Sequence, residues 1–177
     1  SKAFWVANTV ELFERAAYYG VFIVITLYLS RILGFNDIQA ASIAGIFSAC
    51  LYLLPTFAGA LADKIGFRNS MLIAFALLTM GYAGLAVFPT WLESAGLVSY
   101  SATTTFTGLL ESNLQYGILP IMALIVCGGA FIKSVISGTV AKETTPETRA
   151  KGFSIFYAMV NIGAFSGKTI VKPLREA

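Results

Sequence analysis

The charged residues that could do chemistry are concentrated in one short stretch, Glu11-Leu-Phe-Glu14-Arg15-Ala-Ala-Tyr18-Tyr19-Gly20, inside a segment otherwise apolar enough to sit in lipid. A charge left alone at the centre of a bilayer costs at least ~2.5 to 3.5 kcal/mol, so these side chains must face a protein interior or a water-filled cavity. Their spacing allows it. Glu11, Glu14, Arg15 and Tyr18 fall at i, i+3, i+4 and i+7, which puts them on one helical face with Glu11 and Arg15 placed to pair. A structural ion pair near the membrane interface is the plainer alternative. Depth favours function: at ~1.5 Å per residue, Glu14 lies about 14 Å above Trp5, and Lys133 lies about 14 Å above Lys142. The spacing therefore predicts one layer, in which Lys133 takes a carboxylate partner from the first helix and approaches Glu14 within salt-bridge range in at least one conformation. Two carboxylates, an Arg and a Lys in a shared layer titrate as a coupled cluster.

The elements that hold this cluster must be membrane spans. Of the 177 residues, 57% are hydrophobic and 12% are charged, well below the roughly one quarter charged of a soluble domain. The apolar runs approach the ~20 residues needed to cross a bilayer. Five spans follow, at about 5–32, 39–62, 70–88, 114–141 and 152–171, with a long Ser/Thr-rich external loop at 89–113. Gly34-Phe35-Asn36-Asp37, Asp63 to Asn69 and Thr144-Thr145-Pro146-Glu147 are the breaks between them. Lys64 and Arg68 mark one loop and Lys142, Arg149 and Lys151 another, whereas Asp37, Glu93 and Glu111 lie in the intervening loops. By the positive-inside bias the basic loops and the N-terminus face the cytoplasm. The first apolar stretch runs unbroken into a full span, so it reads as a retained helix and not as a cleaved signal.

Several function classes are excluded by composition. A net charge of +3 with scattered basic residues gives no nucleic-acid footprint. Histidine is absent, and Cys50 and Cys127 fall inside apolar runs as packing residues, so no metal cluster, nucleophile pair or cofactor is implied and the chain does not read as an enzyme.

The second break has its own pattern, Gly59-Ala-Leu-Ala-Asp63-Lys-Ile-Gly66-Phe-Arg68. Gly59 permits close helix packing and Gly66 the turn, and Asp63 is placed to pair with Lys64 or Arg68 or to cap the next helix. This stretch resembles the loop signature of the major facilitator superfamily, G-x-x-A-D-x-x-G-x-[KR]. Glu11 to Gly20 resembles the E-x-x-E-R-x-x-Y-Y-G signature of proton-dependent oligopeptide transporters, and Phe156-Tyr157-Ala-Met-Val-Asn161-Ile-Gly163 that family's F-Y-x-x-[IV]-N-x-G. Three motifs in order cover helices one to five.

The resemblance implies an all-α membrane bundle, the first five helices of the six-helix N-terminal half of a major facilitator transporter, whose C-terminal half would be its partner. Five helices alone are not expected to transport. It further implies proton-coupled symport of di- and tripeptides by alternating access, in a plasma (inner) membrane. Arg15 would bind the peptide carboxylate, Glu11 and Glu14 would couple to protons with Arg15, and Lys133 would communicate with them. Tyr18, Tyr19, Tyr52 and Asn161 would line the pocket, and Gly59, Asp63, Gly66 and Arg68 would form the conformational loop. Another small, possibly anionic solute on the same scaffold, or a non-transporting scaffold subunit, are the rival readings. The chain departs from the family at Lys133-Ser134-Val135, usually Lys-Pro-Asn, at Ala16, usually aromatic, and in a basic stripe at Lys168, Lys172 and Arg175. Lys168 lies deepest of the three and is expected to face the central cavity, supplying positive charge to an anionic substrate or substrate carboxylate.

Overall fold

The structure is a computed structural model that describes residues 1–100, 106–107 and 113–176. Five long helices make up the bundle: α1 (Lys2–Leu27), α2 (Asp37–Ile65), α3 (Phe67–Ser94), α4 (Ile118–Lys142) and α5 (Arg149–Glu176). Helix α1 widens into a π turn over Tyr28–Ile32, and a two-residue strand pair, Ser99–Tyr100 against Phe106–Thr107, and a 3₁₀ turn at Asn113–Gly117 lie between α3 and α4. The expected loop at 89–113 is thus partly helix. Pro89 is accommodated inside α3, which runs on to Ser94, while Glu111 lies outside the described residues.

Local chemistry sets the helix ends. The Ser1 hydroxyl caps α1 by accepting from Phe4 N at 3.3 Å, and Asn36 and Gln39 form a reciprocal capping box at the start of α2. The α2–α3 turn needs a positive φ, and Gly66 supplies it at φ +86°. Asp63 was a candidate cap here, but α3 has no side-chain cap. Among the described residues its carboxylate forms no ion pair with Lys64 or Arg68.

Among the described residues, four helical stretches, Lys2–Ile32, Asp37–Ile65, Phe67–Ser94 and Asn113–Lys142, are long and apolar enough to cross a membrane. The five spans read from sequence include one more, α5. Helix α5 is long enough, but its polar residues, among them Ser154, Asn161, Ser166 and Lys168, dilute its hydropathy. Large apolar side chains such as Phe13, Ile46, Leu53 and Phe57 stand exposed on the outer faces, where water would penalise them and lipid does not. Cys127, expected to pack, is also exposed, whereas Cys50 is half-buried.

Helix α4 is the centre of the bundle and packs against α2 and α3, while α5 packs mainly along α1. Small residues make these approaches possible, as membrane helix packing requires. A Cβ at Gly128 would lie 2.8 Å from the Leu78 side chain of α3, and one at Gly129 would lie 2.8 Å from Leu51 of α2. On α5, Gly163 abuts the Leu12 carbonyl and Gly167 the Ala16 carbonyl of α1. Helix α5 is therefore pressed onto the turn of α1 that carries Glu14 and Arg15.

Candidate functional site

The one-face spacing of the α1 charges holds in three dimensions. Glu11, Glu14 and Arg15 are all buried, at 1%, 7% and 6% exposure, although their side chains are among the most strongly hydrated in proteins. Burial at that cost requires pairing. Arg15 Nε lies 3.4 Å from Glu11 Oε1, and both its Nε and Nη2 lie 2.5 Å from Glu14 Oε2. The Nη2 contact is an ion pair without hydrogen-bond alignment, and Glu11 Oε2 also lacks a hydrogen-bond partner. One guanidinium thus holds two carboxylates, leaving the triad with a net negative charge and unused hydrogen-bonding capacity.

Lys133 does not join this triad in the conformation described. Its ammonium sits 4.4 Å above the Tyr52 ring centroid, a cation–π contact between α4 and α2. The geometry also corrects the depth assignment. The Glu14 carboxylate abuts α4 at Gly129, where a Cβ would be 3.8 Å from Oε1. Lys133 is four residues, or ~6 Å, further along α4, which places it nearer the layer of Glu11. Arg15, adjacent in sequence to Glu14, holds its Oε2, and the lysine rests on the tyrosine.

The expected pocket tyrosines separate into two environments. Tyr18 is 4% exposed, stacked on Phe22 and Phe47 with Arg15 5.0 Å over its ring, so here it is a core side chain and not a pocket wall. Tyr19 lies beside Tyr52 across the α1–α2 gap and carries the Lys168 ammonium 5.0 Å above its ring. Two neighbouring tyrosines thus each hold one lysine, Lys133 on Tyr52 and Lys168 on Tyr19. On α5, Tyr157, Asn161 and Lys168 recur at i, i+4 and i+11 and are all exposed, forming one polar stripe. The side chains of Lys172 and Arg175 lie outside the described residues.

A cavity of about 730 Å³ opens between α2, α4 and α5. Tyr52, Lys133 and Tyr157 line it together with Gly59 and Asp63 of the loop motif. Gly66 and Arg68 are exposed at the α2–α3 turn outside it. Arg15, Glu11, Glu14, Tyr18, Tyr19, Asn161 and Lys168 are not part of that lining. The structure brings the α1 triad together as one unit and Tyr52, Lys133 and the loop glycine as another, with Tyr19 and Lys168 beside them.

Other contacts were missed from sequence. Ser134 donates to Pro55 O at 2.5 Å and to Ala130 O at 2.9 Å, tying α4 to α2 at Gly59, where a Cβ would come within 3.7 Å of Ser134. The sequence gives no signal for this contact, because the carbonyl that a proline at position 55 frees is that of Leu51, four residues earlier, whereas Ser134 bonds Pro55 O. The Gly163-x-x-x-Gly167 spacing was legible as a small-residue packing motif, and only its first glycine had been singled out.

With this geometry in hand, known proteins can be set beside it. The chain is 30% identical over 169 residues to dipeptide and tripeptide permease A of Salmonella typhi, covering 93% of this chain and 29% of that protein. It is similar to peptide permeases along nearly its whole length. The Escherichia coli K12 permease of the same name is 29% identical over 168 residues, covering 93% of this chain and 29% of the permease. That of Proteus mirabilis is 25% identical over 168 residues, covering 93% and 30%. The chain therefore spans less than a third of the length of the curated relatives it matches. No family profile matches the chain, and no solved structure does. The permease similarity and the four apolar helices found among the described residues together support a multi-pass integral membrane protein.

Proposed function

We propose that this chain forms part of a proton-coupled transporter of di- and tripeptides, the first five helices of the N-terminal half of a major facilitator bundle that works by alternating access. The observation that carries the reading is the buried Glu11–Arg15–Glu14 triad, two carboxylates on one guanidinium within a helix long and apolar enough to cross a membrane. A scaffold gains nothing from such a unit, whereas a carrier needs groups whose charge changes with proton load. The similarity to dipeptide and tripeptide permeases supports the substrate class.

In this reading proton binding to Glu11 or Glu14 loosens the hold on Arg15, which then meets the peptide carboxylate, a planar group suited to a guanidinium. Lys133, parked on Tyr52, is within electrostatic range of both carboxylates and pairs with the one that stays ionised when Arg15 turns to the peptide. Tyr19, Tyr52, Asn161 and the exposed α5 stripe face the peptide once the C-terminal half closes over them, and Gly59, Asp63, Gly66 and Arg68 adjust the α2–α3 turn during the transition. The N-terminus lies on the cytoplasmic side of the plasma membrane.

The test is Glu11→Gln and Glu14→Gln in the full-length protein reconstituted into liposomes. Each is expected to abolish accumulation driven by a pH gradient, at least a tenfold loss, while exchange of peptide down its own gradient persists. Undiminished accumulation in both variants would show that coupling resides elsewhere. Lys168→Gln is expected to weaken the apparent affinity for anionic substrates several-fold with a smaller effect on neutral ones. Equal affinities for both classes, with the side chain shown to face lipid, would contradict a cavity role for Lys168.

A further inference from the structure

One turn from Glu11, on the same face of α1, is a polar residue that no motif assigns. Asn8 is fully buried, at 0% exposure. Its Nδ2 donates to Phe4 O at 2.8 Å, and its Oδ1 has no hydrogen-bond partner. Glu11 Oε2 has none either, because the Arg15 contact goes to Oε1. Residues at i and i+3 are neighbours on a helix surface, with Cβ atoms about 5–6 Å apart. The two orphaned atoms are both acceptors, and a buried pair of acceptors lacks a donor.

A proton on Glu11 supplies that donor. The neutral carboxyl group has one O–H and the ionised form has none, so the missing hydrogen bond exists in one protonation state only. We propose that Asn8 is a positioning residue for proton binding: its Oδ1 accepts from the Glu11 Oε2–H of the protonated carboxyl, directly or through one water, and so stabilises the proton-loaded state of the triad. This rests on the proposed coupling role of Glu11 and adds the group that sets how readily Glu11 is loaded. Asn8 also lies ~4.5 Å closer to the α1 N-terminus than Glu11, between the carboxyl and that end of the helix.

The groups around Glu11 leave this role open. Arg15 and Glu14 face it from α1, and Lys133 is the charged group that reaches it from α4. On α2 the nearby titratable side chain is Tyr52, which holds Lys133, and on α5 the described charged residues sit at Arg149, Lys151 and Lys168, away from the Glu11 turn. Among the described residues, Asn8 is the neutral acceptor one turn away that lacks a donor.

Threonine and valine have the same shape and differ by the hydroxyl, so Asn8→Thr and Asn8→Val separate the acceptor from the packing. At position 8 a threonine hydroxyl would donate to Phe4 O, as Thr9 does to Trp5 O at 2.9 Å, and its lone pairs would remain to accept from Glu11. In full-length protein in liposomes, Asn8→Val is expected to move the pH of half-maximal gradient-driven uptake of a dipeptide to more acid values, requiring about three- to tenfold more protons, and Asn8→Thr is expected to keep the wild-type midpoint. Identical midpoints for the two variants, or an alkaline shift for Val, would overturn the proposal, the latter because it would mean that Asn8 favours the charged form. A second measurement needs no transport. Glu11→Gln mimics the protonated group, so a thermal-stability cycle should show Asn8→Val costing more in the Glu11→Gln background than in wild type at alkaline pH. Equal costs in both backgrounds would refute the contact. If Glu11→Gln instead leaves accumulation intact while the cycle shows coupling, the contact stands and the coupling role of Glu11 falls.

Discussion

Replacing Arg15 by leucine in the full-length protein is expected to abolish accumulation of peptide and to destabilise the bundle by about 3–5 kcal/mol, the cost typical of removing one partner from a buried ion pair. The magnitude follows from what Arg15 holds. Glu11 and Glu14 are 1% and 7% exposed and depend on the same guanidinium, so its loss leaves two uncompensated carboxylates on adjacent turns. The variant should melt lower than wild type, and the deficit should grow as pH rises. At acid pH the carboxylates bind protons and the uncompensated charge disappears; at alkaline pH both are ionised and repel. Arg15→Lys should recover only part of the loss, because an ammonium is a point charge and cannot present two nitrogens to the carboxylates as the fork does. Thermal unfolding of the purified variants across pH is the check. A melting temperature equal to wild type at alkaline pH would mean that the triad is not buried as described.

The second large effect is expected at Gly163 and Gly167. A Cβ at Gly163 would collide with the Leu12 carbonyl and come within 2.9 Å of Arg15 Cβ, and one at Gly167 would collide with the Ala16 carbonyl. These neighbours are backbone and a helix-bound Cβ, with no flexible side-chain end to give way. Even alanine must lift α5 from α1, at about 1–3 kcal/mol for an overpacked contact. Gly163→Ala should therefore do more than destabilise. By displacing the turn that carries Arg15 it should lower uptake well beyond what the stability loss explains, whereas Gly45→Ala, with open space around its Cβ, should be neutral. Helix proximity can be followed by cross-linking of cysteine pairs placed on α1 and α5. Unchanged cross-linking and uptake in Gly163→Ala would contradict the α1–α5 packing.

The parts of this architecture that were readable in the sequence are those governed by local spacing. The shared face of Glu11, Glu14 and Arg15 and the Glu11–Arg15 pair follow from 3.6-residue periodicity, and the structure forms them within one helix. The Gly66 turn follows from the one residue type that tolerates its φ. What was not readable depended on which helices touch. Depth alone does not say which partner Lys133 holds in a given conformation, and in the one described it is Tyr52. Tyr18 and Tyr19 are adjacent in sequence and point about 100° apart, so one stacks in the core while the other stands beside Tyr52. The external loop was drawn from residue 89, yet Pro89 sits within α3, which continues to Ser94. The packing of α5 on α1 through Gly163 and Gly167 depends on close approach between helices, which hydropathy does not report.

The central claim is that a proton-loaded carboxylate on α1 drives peptide uptake. Its most direct test is uptake of a labelled dipeptide by the full-length protein in liposomes under an imposed inward proton gradient, with unlabelled dipeptides and small organic anions as competitors. Accumulation that requires the gradient, is competed by dipeptides and spared by the anions, and is lost in Glu14→Gln while exchange continues is the predicted result. Uptake indifferent to the gradient, or competed by organic anions and not by dipeptides, would contradict it.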